Sequence, residues 1–271
     1  MSWPLAANLS MLFTEAKLAE RVSLARAAGF SGVEIQFPYA LPATDLAAVL
    51  QANALPLVLI NVPAADLLEG GPGLAAVPGR EADFAKALEQ ALRYAEVARP
   101  LQVNILPGRL APGVEREQAL AVLADHLYQA GSAFADLGIG VVCEAINSQD
   151  MPGFLLDGST SLLAMLQRVG HANVSAQVDL YHLARMQEDI AQALNRLQGY
   201  IGHIQFADCP GRHEPGTGVI DFAQLPGLLE AVDYQGWLAA EYRPLGQTVG
   251  GLDWMQAWQQ TGLAAMPGHR V

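Results

Sequence analysis

Eight polar side chains recur along this sequence, each near the end of a short apolar run. The series is Asn8, Glu34, Asn61, Asn104, Glu144, Asp179, Gln205 and Glu241. Successive members lie 26 to 43 residues apart, which is about the length of one strand and one helix in a barrel of parallel strands. In such a barrel the carboxyl ends of all strands meet at one mouth, so these side chains are expected to converge there.

The last four members of the series carry the clearest chemical signal. They follow apolar stretches in which burial is expected, and carboxylates are seldom buried unless they are paired or bound to a metal. Glu144, Asp179 and Glu241 in one cavity would repel one another and require a cation to stay ionised. With Gln205 they form an all-oxygen set that suits Mg²⁺ or Mn²⁺ better than zinc. We therefore predict a divalent metal site, the alternative being hydrated groups at strand ends.

Two further residues are candidates for contacts with a substrate. His182 follows Asp179 by three residues, and it is either such a contact or an ordinary histidine at a helix start. Arg212 lies in a loop rich in Gly and Pro. It suits a bidentate clamp on a carboxylate, the alternative being a surface arginine. Phe37 and Tyr39, just past the second apolar run, are candidates for the wall of a pocket.

Short apolar strands alternate with helical segments through the whole sequence. The predicted strands are 5–9, 32–37, 57–61, 101–106, 141–147, 175–179, 201–206 and 236–241. The predicted helices are 15–28, 44–51, 80–97, 115–137, 159–169, 188–197, 221–232 and 252–262. Residues 62–79 form the longest irregular segment, either a lid or a mobile excursion. This alternation predicts a single (β/α)8 TIM barrel over residues 1–271, with its active site at the carboxyl-terminal mouth of the strands.

The composition excludes several other classes of protein. The net charge of −12, from 15 basic and 27 acidic residues, provides no attractive surface for nucleic acid or an anionic membrane. The amino terminus lacks a basic region and an apolar core of secretory length, and no apolar run is long enough to span a bilayer. Two cysteines provide no disulfide framework. We expect a cytoplasmic protein with a small-molecule partner and with neither a nucleic acid nor a membrane partner.

Several motifs cover nearly the whole chain. The most specific is GHIQFADCPGRHEPGTG at 202–218, and others are AANLSMLFTE at 6–15, GVEIQFPY at 32–39, EAIN at 144–147, DLYH at 179–182 and GWLAAEYRP at 236–244. Together they resemble the hydroxypyruvate isomerase family, which belongs to the sugar isomerase and epimerase barrels related to apurinic endonucleases. Ala145 and Val219 depart from this resemblance, since proline and glutamate are expected there. Neither is a proposed ligand, although Val219 lies in the loop that shapes the pocket.

The resemblance implies a reaction and the residues that perform it. Hydroxypyruvate and tartronate semialdehyde would interconvert through an enediolate, as in glyoxylate metabolism, with a divalent ion as Lewis acid and no organic cofactor. The implied acid and base are Glu144 and Glu241. The implied metal ligands are Glu144, Asp179, Gln205 and Glu241. The expected substrate contacts are His182 and Arg212, joined at the mouth by Asn8, Glu34 and Asn104.

Alternatives of the same and of other classes stay open. A four-carbon 2-oxo acid such as 2-oxotetronate, or a ketose, would suit the same machinery. Gln205 argues against ketose 3-epimerases, which resemble this chain but usually carry histidine there, and Arg212 argues for an acid. A non-catalytic barrel that binds a sugar acid would lack a base, whereas both glutamates are present. A repair nuclease is disfavoured by the charge and by only six histidines. The resemblance allows a homo-oligomer without fixing its size.

Overall fold

Parallel strands close into a barrel in the computed structural model, which describes residues 2–265. The strands are β1 Leu5–Asn8, β2 Gly32–Ile35, β3 Leu57–Asn61, β4 Gln102–Ile105, β5 Gly140–Glu144, β6 Val174–Asp179, β7 Ile201–Phe206 and β8 Leu238–Ala240. Each strand pairs in parallel with the next, and β8 returns to β1 with Leu238 opposite Leu5. The predicted eight-stranded (β/α)8 fold is confirmed.

The helices surround the barrel. They are α1 Leu18–Ala27, α2 Ala43–Asn53, α3 Glu81–Ala98, α4 Arg116–Ala135, α5 Ser159–Val169, α6 Leu180–Arg185, α7 Ile190–Arg196, α8 Leu225–Ala231 and α9 Asp253–Gln260. Within residues 2–265, no helix has the length and apolar character that crossing a membrane requires.

Two predicted helices differ from the structure, and one observed helix was not predicted. The first begins at Leu18 instead of residue 15, because the Glu15 carboxylate accepts hydrogen bonds from the backbone and hydroxyl of Thr248. The helix predicted at 221–232 starts as a 3-10 turn, Phe222–Gln224, before α8. Helix α6 was not predicted. It starts directly after β6, where Asp179 Oδ1 caps it by accepting from the backbone N–H of Tyr181 at 2.9 Å.

The barrel interior changes from apolar to polar along the strands. Its apolar floor is formed by a cluster of Ala6, Val58, Leu59, Val142 and Ala239. Successive side chains of a strand alternate between the two faces of the sheet, so the second residue along returns to the same face. That step leads from the floor residues of β1, β5 and β8 to Asn8, Glu144 and Glu241. The polar groups therefore lie one layer above the floor, at the carboxyl-terminal mouth.

Residues 62–79 pack against the barrel mouth. They contain the 3-10 helix Ala65–Glu69, and most of their apolar side chains are buried. Arg109 Nη1 donates to the carbonyls of Leu67 at 2.7 Å and Gly71 at 2.9 Å, and the ring of His126 bonds to the carbonyl of Ala75. The sequence left two alternatives for this segment, a lid or a mobile excursion. In the structure it is held by these contacts as a cover at one side of the mouth.

Candidate active site

A cavity of about 110 Å³ lies at the carboxyl ends of the strands. Its polar lining consists of Gln36, Asn61, Glu144, Asp150, Gln177, His182, Arg212 and Glu241. Its apolar lining consists of Phe37, Leu68, Leu106, Ile146 and Met151. An outer cavity of about 870 Å³ opens to solvent and shares five lining residues with this inner cavity, namely Gln36, Leu68, Asp150, Met151 and Arg212. The inner cavity is therefore reached from solvent through the wider outer cavity.

Of the two predicted wall residues, the structure places one at the cavity. Phe37 lines the inner cavity. Tyr39 instead donates its hydroxyl to the backbone carbonyl of Asn61 at 2.6 Å and packs its ring on Tyr94. Tyr39 therefore stabilises the end of β3 and does not belong to the lining of the inner cavity.

Three carboxylates meet one guanidinium and one imidazole at the inner cavity. Arg212 Nη2 donates to Glu241 Oε2 at 2.5 Å and to Asp179 Oδ2 at 3.3 Å. His182 Nε2 lies 3.7 Å from Glu144 Oε1 and 3.5 Å from Asp179 Oδ2. The predicted convergence of Glu144, Asp179 and Glu241 is therefore seen in the structure, with Arg212 and His182 between them.

Burial shifts the protonation of this cluster. Burial raises the pKa of Glu144 well above its usual value, and the nearby Glu241 and Asp179 charges raise it further. Burial also raises the pKa of Glu241 to about 7 and that of Asp179 above its ordinary value, with Arg212 opposing both shifts. Burial, reinforced by Arg212, lowers the pKa of His182 well below its ordinary value. Full ionisation of all three carboxylates beside Arg212 is thus disfavoured in the metal-free site.

A metal ion fits this donor set. One potential ligand atom from each of Glu144, Asp179 and His182 lies within 4.8 Å of the others, and all three residues are buried. These residues could hold a metal ion, whose charge would stabilise the ionised carboxylates. Glu144 and Asp179 belong to the predicted ligand set, whereas His182 was expected to contact substrate. The roles of Gln205 and Glu241 as ligands stay predictions.

Buried amides orient the glutamates from below. Asn8 Nδ2 donates to Glu34 Oε1 and to Glu241 Oε1, both at 2.8 Å. Asn104 Nδ2 donates to Glu144 Oε2 at 3.2 Å. Asn8, Glu34 and Asn104 are fully buried and do not belong to the lining of the inner cavity. Their proposed substrate contacts stay predictions, and their visible contacts are with neighbouring side chains.

Gln205 belongs to the same buried network. Its Nε2 donates to Glu34 Oε1 at 2.6 Å, and its Oε1 accepts from Gln177 Nε2 at 2.7 Å. Glu34 also meets His203 Nε2 at 2.8 Å. The amide of Gln205 is therefore held between Gln177 on the adjacent strand β6 and Glu34 on β2.

Sequence reasoning missed two glutamines that hold the catalytic candidates. Gln177 Nε2 donates to Glu144 Oε2 at 2.9 Å, and Gln36 Nε2 donates to Glu241 Oε1 at 2.8 Å. The alternation of side chains along a strand could have revealed both. Gln177 precedes Asp179 by two residues and Gln36 follows Glu34 by two. Asp150, which also lines the inner cavity, carried no comparable signal.

The Asp208 carboxylate holds the loop after β7 together through hydrogen bonds to the backbone. Asp208 accepts from the backbone N–H groups of Cys209, Gly216, Gly218 and Ile220 at 2.8 to 3.1 Å. Gly218 is required there, because a Cβ atom would lie 2.0 Å from the carbonyl oxygen of Cys209. Within this loop the Arg212 N–H bonds to the Asp208 carbonyl, and its guanidinium lies 5.0 Å from the ring centroid of Tyr181. Asp208 thus holds the loop that presents Arg212.

Comparison with known sequences decides the family. The profile of the xylose isomerase-like TIM barrel family matches residues 22–258. The chain belongs to this family. Among its curated relatives, the hydroxypyruvate isomerase of Escherichia coli is 39% identical over 254 residues, covering 94% of this chain and 98% of that protein. The 2-oxo-tetronate isomerase of Cupriavidus necator is 39% identical over 253 residues, covering 93% and 97%. The resemblance found in the sequence is confirmed.

Solved structures of other proteins share the fold. An AP endonuclease of family 2 from Brucella melitensis superposes with a TM-score of 0.90 at 35% identity, covering 94% of this chain and 99% of that one. An L-ribulose 3-epimerase superposes with a TM-score of 0.81 at 19% identity, covering 97% and 95%. At 19% identity, the similarity to the epimerase shows only that the two proteins share a fold.

Proposed function

We propose that this chain is an isomerase that interconverts hydroxypyruvate and tartronate semialdehyde. The observation that carries the proposal is the placement of Glu144 and Glu241 on one small buried cavity with Arg212. Two relatives named for isomerases of 2-oxo acids support it. A proton leaves the hydroxymethyl carbon, a proton is added to the former carbonyl carbon, and the hydroxyl proton moves between the two oxygens. The reaction consumes no oxidant or reductant.

Glu144 and Glu241 are the groups that move these protons. Both line the inner cavity, and they extend from β5 and from the end of β8, on different sides of the barrel. The pKa of Glu241 is raised to about 7, near neutral pH, where an acid or base catalyst is most effective, and burial raises the pKa of Glu144 as well. Either glutamate is able to remove the first proton in this arrangement, and the other then serves the neighbouring carbon or its oxygen.

Arg212 binds the substrate carboxylate. Its guanidinium lies at the boundary between the inner and outer cavities, and arginine matches the geometry of a carboxylate. When a metal ion neutralises Asp179 and Glu241, the arginine is free to pair with the incoming acid.

We infer that the ion is Mg²⁺ or Mn²⁺, held by Glu144, Asp179, Gln205 and Glu241. An excess of buried oxygen donors supports a hard divalent ion. The ion supplies Lewis-acid stabilisation of the negative charge that develops on the substrate oxygens.

The size of the inner cavity limits the substrate. At about 110 Å³ it is much smaller than the outer cavity of about 870 Å³, which supports a three- or four-carbon acid over a hexulose. The 2-oxo-tetronate isomerase relative supports a four-carbon 2-oxo acid as the second candidate. The net charge of −12 supports the absence of a nucleic acid partner, and a cytoplasmic location and a homo-oligomer stay predictions.

Proton NMR of the purified protein in D₂O tests the function. Hydroxypyruvate is incubated with Mg²⁺, with Mn²⁺ that is removed before recording, or with excess chelator, and Glu144→Gln protein is the matched control. We expect metal-dependent deuterium incorporation and tartronate semialdehyde only with the wild-type protein. Exchange on 2-oxotetronate but not on hydroxypyruvate would select the four-carbon substrate. The absence of exchange on both acids, with metal bound, would refute the isomerase.

A further inference from the structure

A buried asparagine contacts the ring of His182 from outside the cavity. Asn147 lies just after β5 and is fully buried. Its Oδ1 accepts from the backbone N–H of Asp150 at 2.8 Å. A backbone N–H only donates, so this bond determines which end of the amide is the oxygen. The Nδ2 atom therefore faces its two other neighbours, Asp150 Oδ2 at 3.0 Å and His182 Nδ1 at 2.7 Å.

This arrangement determines which ring nitrogen carries the proton. The amide nitrogen of Asn147 has two hydrogens to donate and cannot accept. One hydrogen points to the Asp150 carboxylate and the other to His182 Nδ1, so Nδ1 must be the acceptor. A neutral imidazole with an unprotonated Nδ1 carries its hydrogen on Nε2. Nε2 is the atom that lies 3.7 Å from Glu144 and 3.5 Å from Asp179.

A second hydrogen bond, from Tyr181 to Asp150, stabilises the contact between Asn147 and His182. Tyr181 is buried and donates its hydroxyl to Asp150 Oδ2 at 2.6 Å, the oxygen that also accepts from Asn147. Tyr181 and His182 are neighbours on α6, so the loop after β5 and the first turn of α6 are joined at two adjacent residues. This leaves the imidazole little freedom to turn its other nitrogen or a carbon toward Asn147.

We propose that Asn147 is a positioning residue that locks His182 in the Nε2–H tautomer, so that His182 donates to a substrate oxygen and does not bind the metal. A nitrogen that carries a hydrogen has no lone pair left for a metal ion. A neutral donor aimed at an oxygen that gains negative charge is the arrangement that stabilises such a charge. The metal would then be held by oxygen atoms alone. The substrate contact rests on the proposed isomerase function, whereas the tautomer rests on the hydrogen bonds.

NMR of protein labelled with ¹⁵N in its histidine rings tests the tautomer directly. Spectra are recorded without metal, with Mg²⁺ and with Zn²⁺, and a His182→Asn variant identifies the His182 signals. We expect a protonated Nε2 and an unprotonated Nδ1 in all three samples. A proton on Nδ1, or loss of the Nε2 proton when either metal is added, would overturn the proposal. Because this readout needs no turnover, its failure and a failure of the isomerase function are distinguishable.

A charge-conserving swap tests the role of Asn147. In the double variant Asn147→Asp/Asp150→Asn, a carboxylate faces His182 Nδ1 and should draw the hydrogen to that atom. We expect the reversed tautomer, kcat lower by about 10- to 100-fold, and a Kd for Mn²⁺ no weaker than that of the wild type.

The single variant D150N is the matched control, because it keeps Asn147 and should keep the wild-type tautomer. A swapped protein that melts as one folded species yet keeps the Nε2–H tautomer, or keeps wild-type kcat with the tautomer reversed, would contradict the proposal. If the swapped protein does not fold, the wild-type spectra with and without metal decide the question.

Discussion

Arg212 Nη2 donates to Glu241 Oε2 across 2.5 Å, in a site where both partners are largely buried. The same nitrogen reaches Asp179 Oδ2 at 3.3 Å. The arginine therefore neutralises in part the carboxylates that we propose as metal ligands. Metal and arginine compete for the same oxygens, so a bound ion would release the guanidinium toward the substrate.

We expect Arg212→Gln to separate metal binding from substrate binding. Loss of the competing positive charge should leave the Kd for Mn²⁺ unchanged or lower. Loss of the charge-assisted bonds should raise KM for hydroxypyruvate by at least about 10-fold. Isothermal titration with Mn²⁺ and steady-state kinetics measure the two effects. Arg243→Gln, at an exposed arginine on the outer cavity, controls for charge at the mouth. An unchanged KM in Arg212→Gln would remove the arginine from the binding site.

Glu144→Gln and Glu241→Gln should each lower kcat by more than about 100-fold, because an amide cannot act as the acid or base. The same changes remove a buried negative charge from a crowded cluster, so the metal-free variants should melt at a higher temperature than the wild type. Turnover assays and thermal unfolding with chelator measure both. Glu96→Gln, at an exposed residue of α3, should change neither. A variant with near-wild-type turnover would exclude that glutamate as a catalyst.

The metal-free protein should lose stability as the pH rises from 4.5 toward 7. The folded-state pKa of Glu241 is raised from 4.5 to about 7, mainly by burial. In this pH window the folded protein binds more protons than the unfolded chain, so the free energy of unfolding falls with rising pH. Glu241 alone would contribute about 3 kcal/mol.

Thermal unfolding across this pH range, with chelator, measures the effect. Glu241→Gln should show a shallower decline than the wild type, and Mg²⁺ should flatten the wild-type profile. Parallel profiles of the wild type and Glu241→Gln in chelator would show that the burial of Glu241 does not govern the pH response.

Asp208→Ala should destabilise the loop after β7 and weaken substrate binding together. The carboxylate accepts from four backbone N–H groups, and their loss should cost at least about 2 kcal/mol of unfolding free energy. Because Arg212 is presented by this loop, KM should rise more than kcat falls. Urea unfolding and steady-state kinetics measure the two effects, and Asp136→Ala, at an exposed aspartate, is the control. An unchanged KM in a destabilised Asp208→Ala protein would show that Arg212 is placed independently.

The carboxylate cluster could be predicted because strand ends are visible in sequence. An apolar run that stops at Glu144, Asp179 or Glu241 marks both the strand and the polar layer above its floor. The sequence did not predict how deeply each of these side chains lies in the barrel. Asn8 and Glu34 also end strands, yet they are fully enclosed, since strand tilt and stagger decide which layer a strand end reaches.

Contacts between loops were also beyond the sequence pattern. The bond from Asn147 to His182 joins the segment after β5 to the start of α6, at residues that follow no strand or helix period. Helix α6 was missed because it has only 6 residues and begins directly after β6, although His182 was considered as an ordinary histidine at a helix start. Gln177 is different, because alternation with Asp179 would have indicated its side of the strand.

Asp179 is both the last residue of β6 and the residue that caps α6. One carboxylate oxygen therefore faces the site while the other starts the helix that carries His182. One inserted residue between Asp179 and His182 would turn the imidazole by about 100° around the helix axis and away from the cavity. Natural variation in chain length should therefore be absent from this junction. Aligned relatives should show a fixed three-residue spacing here, even where the residue types between them differ.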